Sequence, residues 1–568
     1  MSRERESEAA ASLSIVHGPP LADEPGLGTL TLPGYLREIT AGFGPREAVV
    51  MHAAEGVTRW DYATLWNNAV ECARALRAAG IGKDMRVGVL AGNRPEFLAA
   101  VFGTALAGGV AVPLSTFSTA PELEYLLQSA AVSLLVYEGS VAGKDFGALL
   151  RGLEPEIARA APAALWSPRF PFLRRLVVIG GAAGGAVEAW AAFLRAGAAV
   201  PVALIEATAA SVRPADDGMI FFSSGTTSRP KGILSAQRAV SIQLWRWPRI
   251  YDHVHGDIRC WPANGFFWSG VFGMALGCTL SRGGALILQS AFAPAEALRL
   301  MQAERVNLPL AWPHQWSRLE EAPNWNEVDL SSVRFVDRRS ALARHPTIST
   351  DWEEPRAYGV TETFTINAAY PASTPAAEVD GSYGEALPGN TLKIVDPLSG
   401  VILPRGQRGE IAVKGPTLMR GYLGTPLDET LDDEGFYHTG DGGFLNARGW
   451  LHWEGRLTEI IKTGGANVSP VEVDVVLGTC PGIKVAQTVG VPHETLGEMV
   501  VACVVPHDGA AVSESAVRDF LKQRLASYKV PRRVLFFAEG ELALTGSAKV
   551  KAGALRALAA QRMSGNER

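Results

Sequence analysis

Apolar residues in the first part of the chain alternate between two spacings. From Trp60 they recur at helical spacing and stop at Gly80, and a short apolar run that ends in glycine follows at residues 86–92. Two further units of the same kind occupy residues 95–114 and 121–139. Helices that alternate with short, fully apolar strands predict an α/β fold with a parallel sheet and covering helices.

The pattern changes towards the C-terminus. Short strands broken by Gly, Pro and Asp fill residues 384–455 and indicate an antiparallel or barrel-like β subdomain. Mixed helix and strand, typical of an α+β domain, then return. We predict a large domain over residues 29–455, a boundary at 456–458 and a small C-terminal domain over 459–568. Residues 1–28 are polar and contain three prolines, as expected for a flexible lead-in.

Length and charge narrow the possible functions. The chain has 568 residues, too many for one compact core, so several structural units are expected. Its 53 basic and 58 acidic residues give a net charge of -5. The chain therefore lacks the positive field with which nucleic-acid binders neutralise phosphates, and a small anionic ligand needs a local site.

Cysteine spacing and hydropathy favour a cytoplasmic protein. The five cysteines are scattered without a CxxC pair, which predicts neither a disulfide framework nor a zinc site. The most apolar stretch, residues 266–280, is shorter than the roughly 20 residues that cross a bilayer, so we expect a buried segment and no transmembrane span. The charged N-terminus precedes no apolar segment of signal-peptide length.

The first candidate for chemistry is the loop SSGTTSRPKG at residues 223–232. It follows an apolar strand and offers an anion backbone N–H groups, hydroxyl donors and one ammonium group together, which suits a polyphosphate. A Walker A loop has Gly before its lysine and Ser or Thr after it. Here Pro230 precedes Lys231 and Gly232 follows, so a P-loop NTPase is disfavoured.

Further blocks follow this loop in a fixed order. With them, the chain resembles the adenylate-forming superfamily of acyl-CoA synthetases, peptide-synthetase adenylation domains and firefly luciferases, and most closely a stand-alone acid–CoA ligase. The resemblance extends from about Trp60 to about Lys551. The blocks are AYGVTET (357–363), GEIAVKGPTLMRGY (409–422), GFYHTGDGGFLNARGWLHWEGR (435–456), IIKTGGANVSPVEV (460–473), SYKVPRRV (527–534) and LTGSAKV (544–550).

The resemblance implies a phosphate end of the site. Thr361 is expected to approach the α-phosphate of ATP. Glu362 is expected to bind Mg²⁺, which prefers one or two carboxylates together with phosphate oxygens. The residues expected to hold the β and γ phosphates are Ser223, Ser224, Gly225, Thr226, Thr227 and Lys231.

The resemblance also implies an adenosine end. Tyr358 is expected to stack on adenine, and Gly359 lies beside it in the nucleotide site. Asp441, paired with Arg456, is expected to bind the ribose hydroxyls, since a carboxylate can accept two hydrogen bonds. The alternative for Asp441 is a turn residue between two glycines.

A mobile C-terminal domain serves two steps in the resembling family. Lys549 matches the lysine that bridges the incoming carboxylate and the α-phosphate during adenylation. The hinge falls at Thr458, where the family usually has Asp or Lys. After rotation, Lys462, Gly464 and Gly465 are expected to face the thiol donor, because glycines allow the close approach of a narrow pantetheine arm.

The segment PANGFFWSGVFGM at residues 262–274 resembles the acid-binding region. Trp268 holds a position where many relatives have histidine. With Phe267, Gly270 and Trp312 it predicts a hydrophobic slot with bulky walls, although Trp268 as a plain core residue is the alternative. We find no counterpart of the aspartate with which amino-acid activators meet an α-amine, so an aliphatic or aryl acid is favoured.

Four departures from the family pattern concern the site. Ser228 replaces a glycine of the phosphate loop, Gln237 replaces a common histidine, and Ala548 replaces the glycine before the C-terminal lysine. Residues 338–340 read Arg-Arg-Ser where relatives have Gly-Gly-Ala. The two arginines either point away, reshape the pocket or bind an anion.

Three functions follow from these features. The first is an acid–CoA ligase that uses ATP, Mg²⁺ and coenzyme A, alone or as an oligomer. The second is an enzyme with the same first step that loads a separate carrier protein. The third is a catalytically impaired binding protein, which the arginine pair motivates and the joint presence of the five charged site residues disfavours. Those residues are Lys231, Glu362, Asp441, Arg456 and Lys549.

Overall fold

The computed structural model describes residues 12–54, 56–223, 230–252, 257–463, 466–493, 496–525, 527–538, 541 and 552–565. Three large sheets and their helices form the part before residue 456, and a fourth sheet forms the C-terminal part. The chain is therefore mixed α/β with a large N-terminal and a small C-terminal domain, as the apolar pattern predicts.

The largest sheet contains the three predicted helix–strand units. Its first six strands are parallel, and each of the last two strands is antiparallel to the strand before it. In spatial order the strands are β10 (Val187–Ala189), β9 (Arg175–Ile179), β6 (Leu134–Glu138), β4 (Arg86–Leu90), β5 (Val110–Pro113), β11 (Asp217–Phe222), β12 (Gly232–Ala236) and β21 (Gly421–Tyr422).

Helices cover both faces of this sheet. Alternate residues of β6 enter opposite cores, with Leu134 and Val136 in one and Leu135 and Tyr137 in the other. Burial on both faces explains why these strands are continuously apolar. The helices are α1 (Leu32–Phe43), α2 (Tyr62–Ala78), α3 (Pro95–Leu106), α4 (Ala120–Ser129), α5 (Phe146–Leu153), α6 (Glu156–Arg159), α7 (Trp190–Ala196) and α8 (Val202–Ser211).

The second sheet carries the predicted acid-binding segment on its loops. Its strands, parallel except for the last, are β15 (Leu308–Leu310), β13 (Arg259–Pro262), β14 (Ala285–Leu288), β2 (Glu47–Ala53) and β3 (Gly56–Asp61). The associated helices are α9 (Gln237–Ile250), α10 (Ser269–Leu280), α11 (Pro294–Ala303) and α12 (Pro313–Glu320).

The third sheet is the predicted β subdomain, and it is entirely antiparallel. Its strands are β1 (Ile15–His17), β19 (Thr391–Val395), β20 (Gly409–Lys414), β22 (Tyr437–Leu445) and β23 (Leu451–Arg456). Smaller elements are β7 (Ser140–Val141), β8 (Lys144–Asp145), α13 (Ala376–Val379) and the three-stranded sheet of β16 (Ala357–Tyr358), β17 (Ala368–Ala369) and β18 (Glu385–Ala386).

The start of the chain differs from the expectation. Strand β1 pairs with β19, and Glu24 forms a buried ion pair with Arg246 of α9 at 3.0 Å. The prediction of a flexible lead-in over residues 1–28 is therefore wrong for residues 12–28, and residues 1–11 lie outside the described residues. A three-residue strand is too short for its pairing to appear in apolar periodicity.

The C-terminal sheet has helices on both faces. Its strands are β25 (Ala466–Val468), β24 (Ile461–Thr463), β27 (Gly497–Pro506), β26 (Ile483–His493) and β28 (Arg533–Phe536), the last parallel to β27. Helices α14 (Pro470–Leu477) and α15 (Glu514–Lys522) pack on one core, and α16 (Ala552–Gly565) packs on another.

Local differences from the sequence pattern are small. Trp60 belongs to β3, and α2 starts only at Tyr62 because Asp61 caps it by accepting a hydrogen bond from Thr64 N–H at 2.6 Å. The apolar stretch 266–280 contains the largely buried helix α10, and all five cysteines are buried and free. Among the described residues no single helix has the length and apolarity to cross a membrane, and one bent helix pair, α7 with α8, passes by length and composition.

Candidate active site

Strand register brings together the two residues predicted to bind ribose. Asp441 of β22 and Arg456 of β23 are directly paired across the antiparallel ladder, and Arg456 Nε lies 3.1 Å from Asp441 Oδ1. Arg456 Nη1 also donates to the Thr439 carbonyl at 2.6 Å. The side chain of Asp441 is almost fully buried and that of Arg456 is half exposed. The fold therefore holds the carboxylate in place and leaves the guanidinium at the opening.

Both oxygens of Asp441 face polar groups. Its Oδ2 accepts a hydrogen bond from the Tyr358 hydroxyl at 2.9 Å, and the buried Oδ1 forms the ion pair with Arg456 Nε at 3.1 Å without hydrogen-bond geometry. Burial raises the pKa of Asp441, and the nearby Arg456 charge opposes that rise. The carboxylate is therefore held in place by one hydrogen bond and one ion pair.

Tyr358 lies beside this pair in β16. The residue is 4% exposed, its ring packs near Trp453, and burial raises the pKa of its hydroxyl. Little of the ring face is open, so the stacking of adenine on it stays a prediction. At Gly359 an added Cβ would lie 1.6 Å from the Thr365 carbonyl oxygen, so this close chain crossing requires glycine.

The two ends of the phosphate loop are fastened together. Ser223 N–H donates to the Lys231 carbonyl at 3.0 Å, and Lys231 N–H donates to Ser223 Oγ at 3.0 Å. This pair sets the width of the loop at its base. The other predicted phosphate ligands, together with Ser228, lie outside the described residues: Ser224, Gly225, Thr226 and Thr227.

A tyrosine connects Lys231 to the candidate metal ligand. Lys231 Nζ lies 4.6 Å from the centre of the Tyr422 ring. The Tyr422 hydroxyl donates to Glu362 Oε1 at 2.6 Å and lies 2.9 Å from the Tyr437 hydroxyl. Burial and the Glu362 charge raise the pKa of both tyrosines far above the ordinary value, so both stay protonated.

Glu362 and Thr361 share one short 3₁₀ turn, Thr361–Thr363, and both are partly exposed. No cluster of three or more His, Cys, Asp or Glu side chains that could hold a metal ion exists among the described residues. A single carboxylate nevertheless fits Mg²⁺ that arrives with phosphate oxygens, because this ion needs few protein ligands. Tyr422 and Tyr437 were missed by sequence reasoning, although both lie inside the quoted blocks 409–422 and 435–456.

The predicted acid pocket is formed by two neighbouring loops. The ring of Phe267 is 5.3 Å from that of Trp268, which is partly exposed and precedes α10. Trp312 follows β15, the parallel neighbour of β13, so the carboxyl ends of the two strands bring both loops to one edge. A Cβ added at Gly270 meets nothing within 4 Å, so this part of α10 borders open space.

Trp312 and Trp268 both pack partly against the main core. The indole N–H of Trp312 is buried without a hydrogen-bond partner among the described residues. Trp268 thus packs partly against the core and keeps some exposed surface, and its role as a pocket wall stays a prediction.

The unusual arginines are paired with carboxylates. Arg339 forms a bidentate contact with Asp337, at 2.9 and 2.8 Å, and Arg338 pairs with Glu353. Both side chains are more than half exposed. Gln237 has a structural role, since its Oε1 accepts from Leu32 N–H at 2.9 Å and its Nε2 donates to Asp217 O at 3.1 Å.

The C-terminal candidates are only partly described. Lys462 is an exposed residue of β24 whose N–H donates to Glu498 Oε2 at 2.8 Å. Thr458 lies in an exposed turn between β23 and β24. Gly464, Gly465, Ala548 and Lys549 lie outside the described residues.

These features define an adenylate-forming enzyme, and the comparisons with known proteins agree. Residues 36–423 match the family model "AMP-binding enzyme", and residues 472–549 match "AMP-binding enzyme C-terminal domain". The chain therefore belongs to the AMP-binding enzyme family, which confirms the superfamily inferred from the sequence blocks.

Two curated relatives refine this class. The chain is 31% identical over 528 residues to a feruloyl-CoA synthase from Amycolatopsis sp, covering 91% of this chain and 96% of the relative. It is 30% identical over 508 residues to an indoleacetate–CoA ligase from Aromatoleum aromaticum, covering 88% and 93%. Membership and relatives confirm the prediction of an AMP-forming acid–thiol ligase that binds ATP and uses coenzyme A.

Two solved structures are similar over nearly the whole chain. ATP-bound MatB from Rhodopseudomonas palustris has a TM-score of 0.73 at 26% identity, covering 93% of this chain and 99% of that one. The anthranilate CoA ligase AuaEII in complex with anthranoyl-AMP has a TM-score of 0.78 at 22% identity, covering 96% and 99%. The second similarity concerns the fold alone.

Proposed function

We propose that this enzyme activates an aryl or aliphatic carboxylic acid as its acyl-adenylate, with Mg²⁺ as cofactor, and then transfers the acyl group to coenzyme A. The observation that supports the proposal best is the contact of Lys231, Tyr422 and Glu362. A cation and a carboxylate from distant segments meet through one tyrosine, next to the base of the phosphate loop.

The phosphate end offsets charge repulsion. An acid and ATP are both anionic, and the departing pyrophosphate gains charge in the transition state. A cation 4 Å from an anion contributes about 4 kcal/mol at an effective dielectric near 20. Lys231 supplies such a cation, and Glu362 would hold Mg²⁺, which screens the phosphate oxygens when it is bound.

The adenosine end orients the nucleotide. Asp441 is expected to accept hydrogen bonds from the ribose hydroxyls, and the charge of Arg456 opposes the rise in the pKa of Asp441 that burial causes. By the family resemblance, Thr361 contacts the α-phosphate and Lys549 bridges it to the acid. Rotation about Thr458 would then bring Lys462, Gly464 and Gly465 to the thiol.

We expect the enzyme to prefer aromatic acids to aliphatic acids. The partly exposed rings of Trp268 and Trp312, with the buried ring of Phe267 beside Trp268, give this edge flat apolar surfaces that favour an aryl group. The names of the two curated relatives, a feruloyl-CoA synthase and an indoleacetate–CoA ligase, also point to aromatic acids. A cytoplasmic location stays a prediction.

The proposal is tested by pyrophosphate release from ATP and Mg²⁺ with a panel of aryl and aliphatic acids, with and without coenzyme A. We expect release with aryl acids, consumption of coenzyme A and loss of activity with EDTA. No release with any acid contradicts the proposal. Adenylate formation without coenzyme A turnover indicates a carrier-protein acceptor instead.

A single substitution tests the C-terminal lysine. Lys549→Ala should slow adenylate formation by about 10² to 10³, because one charge contact to the reacting groups is lost. The exposed Lys522→Ala is the matched control. ATP–pyrophosphate exchange is the measurement, and undiminished exchange in Lys549→Ala shows that the assignment is wrong.

A further inference from the structure

Helix α10 presents one open strip. All its residues are buried except Gly270 and Met274. Positions four apart lie on the same helix face, so these two residues form a continuous open strip that begins beside Trp268. The strip spans about 6 Å at 1.5 Å per residue, comparable with one substituted aromatic ring.

The strip ends at a tyrosine and a carboxyl group. The Tyr251 hydroxyl lies 3.1 Å from Met274 Sδ and donates to Glu354 Oε1 at 2.6 Å. Tyr251 is buried, and the rings of Trp247 and Trp352 lie 5.5 and 5.4 Å from its ring. The Tyr251 hydroxyl is thus fixed, and it fixes the orientation of the Glu354 carboxyl.

Glu354 is exposed, and its carboxyl group is held by the buried Tyr251 hydroxyl. Desolvation by the surrounding protein raises the pKa of this carboxyl group. The nearby charges are Asp337, which accepts the Glu354 N–H at 3.1 Å, and Arg339, which is paired with Asp337. No ion pair of Glu354 exists within the described ranges.

The buried side of the helix that carries the strip packs against the segment of the predicted nucleotide site. A Cβ added at Gly273 of α10 would lie 2.8 Å from the Thr365 side chain, and Gln243 of α9 donates to the carbonyls of Thr363 and Ile366. The segment with Thr361 and Glu362 therefore packs against α9 and α10. Glu354 is four residues before Tyr358 in the same stretch of chain, so one segment connects the far end of the strip to the nucleotide.

We propose that Glu354, positioned by Tyr251, is a specificity-determining residue that accepts a hydrogen bond from a hydroxyl or amino group on the ring of an aryl acid. This inference rests on the proposed function, and it names the substrate class: ring-hydroxylated or ring-aminated aryl acids. An unsubstituted ring would cover the carboxyl group without giving it a donor, and a polar group left unpaired in this way weakens binding.

The test compares kcat/KM for pyrophosphate release between 4-hydroxybenzoate or 4-aminobenzoate and benzoate, and likewise between 4-hydroxycinnamate and cinnamate. We expect the wild type to prefer the substituted acid by at least about tenfold in one series. Methionine has a similar length and no charge. Glu354→Met should therefore abolish that preference, mainly because kcat/KM for the substituted acid falls. The neighbouring Glu353→Met, on the Arg338 ion pair, is the matched control and should keep the preference.

A second variant tests the same inference if Glu354→Met does not fold. Glu354→Gln keeps the shape and one neutral acceptor, so the preference should fall by about three- to tenfold without vanishing, because neutral acceptors form weaker hydrogen bonds. Equal selectivity in wild type and both variants, or no preference in the wild type, overturns the inference alone. No release by the wild type with any acid overturns the proposed function as well.

Discussion

The proposed nucleotide side and the proposed acid side of the site are built in different ways. Asp441 and Arg456 are partners in one antiparallel ladder, so their geometry follows from strand register. The proposed acid side combines Tyr251, Trp268 and Glu354 from separate helices and loops. We expect the first arrangement to tolerate little change, because every neighbour depends on the same ladder. We expect the second to tolerate a change in one wall at a time.

Removal of the Asp441 carboxylate, the proposed ribose ligand, should give the largest kinetic change within this comparison. Asp441→Ala removes charge-assisted hydrogen bonds worth about 1.5–3 kcal/mol each, so KM for ATP should rise by about 10- to 100-fold. The increase should be the same for every acid. Initial rates at varied ATP with two acids of different shape measure it.

Its matched control is Asp428→Ala, an exposed aspartate on a 3₁₀ turn. An unchanged KM for ATP contradicts the ribose role. An increase that depends on the acid contradicts the separation of the two sides.

An intermediate effect is expected on the acid side. Trp268→Ala enlarges the slot, so kcat/KM for a small aryl acid should fall by about tenfold relative to a bulky one. KM for ATP should stay within about twofold, since the wall does not belong to the ladder. Competition between two acids, read as the ratio of their CoA thioesters, measures the shift.

Trp166→Ala provides the control, because Trp166 is 70% exposed. An unaltered product ratio in Trp268→Ala identifies this residue as core only.

The smallest change in rate is expected at the phosphate end, where it tests the role of Tyr422. Tyr422→Phe keeps the ring under Lys231 and removes the hydroxyl that orients Glu362. We expect kcat to fall by about three- to tenfold at saturating ATP, because the carboxylate is less well positioned. Rates over a Mg²⁺ titration measure this change, with Tyr125→Phe on α4 as control. A fall beyond about 100-fold would instead assign Tyr422 to the chemistry itself.

Most of the fold could be predicted from the sequence because its strands are buried on both faces. Such strands give unbroken apolar runs, and the runs at β4, β5 and β6 are correctly placed. Strand β1 was missed because three residues carry no periodicity. Its stability comes from pairing with β19, far along the chain.

The site was predictable where the residues lie inside blocks with a fixed order. Asp441 and Arg456 lie in one block of the sequence and are partners in the structure. Glu354 could not be predicted, because it lies in an irregular segment and meets Tyr251 across 103 positions. No periodic pattern encodes such a contact.

The buried pair of Glu24 and Arg246 has a practical consequence. Arg246 has a fully buried side chain, and Glu24 also accepts from Arg249 at 3.0 Å. An uncompensated buried charge costs about 3–5 kcal/mol, and cleavage that releases this segment would leave the Arg246 guanidinium with the Pro388 carbonyl and no carboxylate. Since α9 leads directly into Tyr251, we expect a trimmed or proteolysed preparation to be less stable on the proposed acid side than the full chain.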